Sequence, residues 1–244
     1  MARRLARIVF GMLLIMLALG GVALVLAQAR HSEPWPPASR AAAAGDVAAL
    51  ESHIDAGVSP DAAEGRGGTR LLASAARTGR LDAMRLLLDR GADPNLSDSG
   101  GNHWIPLMHA VHKHQFDAVR LLLERGARPD GSKDLRVTPL MMAVGSGQVE
   151  VATTLLDKGA DPMRRTPGHG SMLTLAVAGG ALTDLDGPLL GGCYPAMVKL
   201  LMDRAPLIRF DDGLQEATAR LFARLNGCRE SLTLIRGRLS PAKP

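Results

Sequence analysis

Three stretches of this 244-residue chain close alike: LLLDRGADPN at Asn95, LLLERGARPD at Asp130 and TLLDKGADPM at Met163. The glycines in register are Gly57, Gly91, Gly126 and Gly159, separated by 34, 35 and 33 residues. A fixed period of that length marks a solenoid built from one repeated helical unit. A single unit cannot bury its own apolar face, so consecutive copies must stack, and the stack exposes a long side surface. The composition agrees: 46% of residues are hydrophobic but only 3% aromatic. The core must therefore come from Leu, Ala, Val and Met, a palette that suits closely packed helices better than a β-sandwich.

One unit can be read residue by residue. Thr138 stands where a helix N-cap belongs, and Pro139 follows in the first turn, where its missing N–H costs nothing. Ala143 and Val144 are small enough for a neighbouring helix to approach, and Gly145-Ser146-Gly147 then breaks the helix, with positive φ expected near Gly147. A second helix is expected over Val149 to Lys158, with apolar residues at Val149, Val151, Ala152, Leu155 and Leu156. Gly159-Ala160-Asp161-Pro162 stops it and starts a β-turn finger toward the next unit.

This helix, turn, helix, finger pattern resembles the ankyrin repeat. Thr138-Pro139-Leu140 with Ala143 fits the T-P-L-H-x-A signature with Met141 in place of histidine. Ile105-Pro106-Leu107-Met108-His109-Ala110 is a looser copy, and Arg70-Leu71-Leu72-Ala73-Ser74-Ala75-Ala76 has lost the Thr-Pro. Gly57-Val58-Ser59-Pro60-Asp61 is a weaker ending of an alanine-rich opening unit. The resemblance implies an all-α array of about five repeats over 38–238, binding partners along its fingers and inner helices without catalysis of its own. Two departures stand out. The second helix of the fifth repeat begins near Pro195, which places an insertion near 181–192, and two arginine-rich helices, Leu214 to Leu225 and Arg229 to Leu239, read as a C-terminal cap.

The N-terminal 29 residues read as an export signal. After Arg3, Arg4 and Arg7 comes an unbroken apolar run from Ile8 to Ala27, 20 residues long, enough to cross a hydrocarbon core as a helix. The arginines predict a cytoplasmic N-terminus with the remainder translocated. Ala27-Gln28-Ala29 has the form of a cleavage site, whereas the length of the run favours a retained anchor, so both outcomes stay open. Residues 30–37 contain three prolines and read as a linker; 239–244 form a tail. The same arginines account for most of the net charge of +5, because removing them lowers 29 basic residues to 26 against 24 acidic. The basicity belongs to targeting rather than to nucleic acid.

No G-x-S-x-G, H-E-x-x-H, phosphate-binding glycine loop or C-x-x-C occurs. His109, His112 and His114 cluster in sequence, but in ankyrin register His109 takes a core position shared with Met142 and Leu175. His114 replaces the turn glycine, and only His112 is expected to face solvent. Asp184, Asp186 and Gly187 echo part of a calcium loop without the ligands to fill one. No cofactor or metal is expected. Trp104 precedes the first helix of its repeat and should lie on the finger side with no core to bury it, the profile of a binding hot spot. With His103, Val137, His112 and Lys113 it forms the expected partner-binding patch. Cys193 and Cys228 fall at the same corner of adjacent layers and are expected to form a disulfide in an oxidising compartment. The expectation is a non-catalytic protein-binding adaptor in a bacterial cell envelope, membrane-anchored or periplasmic, with an unidentified protein partner. The alternative is a histidine-assisted metal or haem handling protein that assists an envelope enzyme.

Overall fold

The computed structural model describes residues 37–64, 67–101, 103–133, 135–165, 170–178, 193–205, 208, 217, 220–221, 223–224 and 228–239. The expected export or anchor segment, the expected linker up to residue 36, the expected insertion at 181–192 and the residues beyond 239 lie outside the described residues. The chain divides after Pro36, and the unit that starts at Pro37 holds the repeats. Among the described residues no helix is long and apolar enough to cross a membrane.

Each repeat contributes an inner and an outer helix. They are α1 (Pro37–Ala44) and α2 (Val47–Asp55), α3 (Leu71–Arg77) and α4 (Leu81–Asp89), α5 (Pro106–His112) and α6 (Phe116–Glu124). Next come α7 (Pro139–Gly145) and α8 (Val149–Asp157), α9 (Met172–Ala178) and α10 (Pro195–Arg204), then the terminal α11 (Arg229–Leu239). Arg220, Leu221, Ala223 and Arg224 are also helical, in keeping with a paired cap. Inner helices pack on inner helices from α1 to α9, and outer on outer from α2 to α10.

Apolar distribution explains the two layers. The inner helices are buried almost all round: every residue from Leu71 to Ala76, from Pro106 to Val111 and from Pro139 to Gly145. Outer helices bury a single stripe, Ala83, Met84 and Leu87 in α4 and Val151, Ala152 and Leu155 in α8, as an amphipathic surface helix must. Alanines such as Ala73, Ala110 and Ala143, all wholly buried, let the inner helices approach without a side-chain barrier.

Helix starts and stops follow local chemistry. Thr138 caps α7, its Oγ1 accepting from the Met141 N–H at 3.2 Å. The inner turns place Gly45, Gly79 and Gly147 at φ +79°, +67° and +71°, and His114 holds the same place at φ +55°. The expected replacement of glycine by histidine is therefore present in the backbone. Gly147 has a second reason to be glycine: a Cβ there would collide with the Tyr194 ring of the next repeat.

Among the described residues the fingers differ from the all-α expectation at one place. Ala63–Glu64 and Thr69–Arg70 pair as a short antiparallel ribbon, Ala63 opposite Arg70 and Glu64 opposite Thr69. The chain there folds straight back to the next inner helix, which sets two extended segments side by side. The tip of this first finger touches the second, Ser99 N–H donating to the Gly68 carbonyl at 3.0 Å.

Candidate interaction site

The second finger ends in a buried polar junction that joins three elements. Asp98 is 2% exposed, and its Oδ2 lies 2.7 Å from Nε2 of His109, itself 5% exposed. Its Oδ1 accepts from the Arg70 N–H at 3.1 Å, so Asp98 supplies the acceptor that α3 lacks at its own N-cap. The Asp98 N–H donates to the Trp104 carbonyl at 2.8 Å, closing the loop that carries Trp104. One carboxylate thus ties the start of α3 in one repeat to the middle of α5 in the next. Glu64, three residues beyond Asp61 as Asp98 is beyond Asn95, does a similar task in the first finger: its Oε2 accepts from both N–H and Oγ of Ser39, each at 3.1 Å.

Trp104 packs over this junction. Its indole meets His109 edge-on at 5.2 Å between ring centroids and His112 at 5.1 Å, and it is half-buried against the core. The expectation that Trp104 has no core to bury against is corrected, because its long side chain lies along α5 instead of projecting from the finger. His112, expected to face solvent, is half-buried by the same contact. The structure therefore brings Trp104, His109 and His112 together. His103 is exposed beside Trp104 at φ +50°, and Lys113 is exposed at the C-cap of α5. Val137 is half-buried against the core one repeat on.

Around this patch, the first four repeats are stapled in succession at their fingers. Asp61 Oδ1 accepts from the Asp93 N–H at 2.9 Å, Asn95 Oδ1 from the Arg128 N–H at 2.8 Å, and Asp130 Oδ2 from the Asp161 N–H at 3.1 Å. In the first three copies the last residue of the GADPN-type ending is thus a bridge. On the outer helices the D-R pairs of the same motif form a second ladder. Arg90 pairs with Glu51 and Asp55, Arg125 with Asp89 at 2.6 Å and Arg204 with Asp157 at 2.5 Å. These pairs are largely exposed and set register more than stability.

His109 is engaged with Asp98, and the described residues hold no group of three or more His, Cys, Asp and Glu side chains that could bind a metal. Asp184, Asp186 and Gly187 lie outside the described residues. Cys193 and Cys228 are joined with Cα atoms 6.0 Å apart, inside the usual range of about 4.4 to 6.8 Å. Cys193 Sγ also sits 3.1 Å from the hydroxyl of buried Ser231 in α11.

Stacked helix pairs, capped turns and bridged fingers define a helical-repeat interaction module. Residues 72–166 match the family model of ankyrin repeats (3 copies). The repeats there are ankyrin repeats, generally non-catalytic modules for binding proteins. A curated protein, the tRNA endonuclease ANKZF1 of Bos taurus, is 44% identical over 76 residues, taking in 28% of this chain. The matched part spans only 10% of that protein's length.

Proposed function

We propose that this chain is a non-catalytic adaptor of a bacterial cell envelope, held at the inner membrane by its N-terminal apolar segment or released to the periplasm by cleavage. It binds a protein partner through Trp104 with His103, His112, Lys113 and Val137. The observation that supports this reading is Trp104 itself: a large ring, only half-buried, in edge contact with two imidazoles on the inner helix of an ankyrin repeat. A rigid aromatic fixed in that way loses little freedom on docking, which favours a hot-spot role. No observation among the described residues favours the metal or haem alternative, since His109 is already paired to Asp98.

The test is capture of partners by the full chain in mild detergent, compared with Trp104→Ala and Trp104→Phe. Loss of the same partner with Ala and retention with Phe supports the patch. Capture unaffected by either substitution refutes it.

A further inference from the structure

Many of the cations on the outer helices have an acidic partner: Arg85, Arg90, Arg125, Lys199 and Arg204 are each ion-paired to a nearby acid. In the third finger Arg128, Lys133 and Arg136 are exposed, and none of them forms an ion pair among the described residues. The fourth finger is fastened against the third by Arg164, whose Nη2 donates to the carbonyls of Lys133 at 3.3 Å and Leu135 at 2.8 Å. That contact sets exposed Arg165, the next residue, at the same junction.

The neighbouring carboxylates Asp130 and Asp161 are directed at backbone and form no ion pair with these cations among the described residues. Asp130 accepts from the Asp161 N–H, and Asp161 accepts from the Met163 N–H at 2.8 Å. Asp134 lies outside the described residues. Where earlier repeats place a bridging Asp61, Asn95 or Asp130, the fourth places Met163, 53% exposed. An apolar side chain thus stands in the open beside the finger that carries Arg128, Lys133 and Arg136.

We infer that the third and fourth fingers are a docking surface for an acidic, extended segment of a partner protein. Its carboxylates meet Arg128, Lys133 and Arg136, and an apolar side chain rests on Met163. The inference rests on the adaptor reading and names the chemistry of the partner. Arg136 adjoins Val137, so the surface continues the Trp104 patch along the fingers. A polynucleotide fits less well, because a chain with 3% aromatic residues has few rings on which bases could stack.

A phage library of short random peptides panned on the full chain in mild detergent tests this. Recovered peptides, fluorescein-labelled, are then titrated against wild type, Trp104→Ala and the double variant Lys133→Glu with Arg136→Glu. Enrichment in Asp and Glu, affinity that falls with added salt and a loss of about tenfold in the double variant are expected. Both substituted residues are exposed, and an unchanged melting temperature verifies that the fold is intact. The inference is overturned by recovery of no peptides, by acidic peptides indifferent to the double variant, or by labelled oligothymidine binding as tightly as the peptides. Non-acidic peptides that respond only to Trp104→Ala would overturn it while leaving the adaptor reading standing.

Discussion

Asp98 shows how much one side chain can settle in a repeat array. It stands in a stretch, Ser97 to Gly101, whose composition reads as solvent-exposed turn, yet it is among the least exposed acids of the described chain. Removing it leaves both the His109 ring and the Arg70 N–H without their acceptor inside the fold. Asp98→Ala is expected to lower the unfolding free energy by about 3 kcal/mol, the cost of breaking a buried polar pair, measured by urea denaturation. Asp98→Asn, which keeps an oxygen for the Arg70 N–H, should cost less. At Trp104 two effects are superposed. Its packing on His109 and His112 predicts a loss of about 1 kcal/mol in stability for Trp104→Ala, while a hot-spot role predicts about 2 kcal/mol or more in binding. A stability loss with unchanged partner affinity would reduce Trp104 to a packing residue.

The elements carry their own tests, because their ends are set by single residues. Thr138→Ala removes the one side-chain cap of α7 and should cost about 1 kcal/mol. At the inner turns the sign reverses between equivalent positions. His114 holds φ +55° with its side chain exposed, so His114→Gly relieves backbone strain and should raise stability by roughly 0.5 to 1 kcal/mol. Gly147→Ala meets the same φ region and the Tyr194 ring, and should lose about 2 kcal/mol. Both are read from shifts in the denaturation midpoint. If His114→Gly destabilised the chain, the imidazole would have to make a contact that outweighs its backbone cost.

On the scale of the whole molecule, stacking of neighbouring helices among the described residues predicts a helix-dominated circular dichroism spectrum and cooperative unfolding. Cys193 and Cys228 tie the start of α10 to the start of α11, closing 35 residues, and the chain-entropy model assigns such a closure roughly 3 to 4 kcal/mol. The cap is where an array most readily frays, so reduction should lower its protection from amide exchange first. Thiol labelling of the unfolded, unreduced protein should find no free cysteine, and two labels per chain would dismiss the bond. The proposed topology is tested by a reporter active only in the periplasm, fused after Pro37. The mature N-terminus separates a cleaved signal from a retained anchor.

What could be read from the residues alone was whatever repeats or acts locally: the period of the glycines, the cap at Thr138, the strain-tolerant His114 and the buried register of His109. Each of these depends on neighbours within one helix or on comparison with the next copy. Asp98, the lean of Trp104 along α5 and the seam between the third and fourth fingers needed the tertiary structure. They are contacts across repeats between segments with no periodicity, where a polar residue looks the same in sequence whether it faces water or a partner. Only the stacking, which brings the second finger down onto the next inner helix, removes the water and turns an ordinary turn aspartate into a joint.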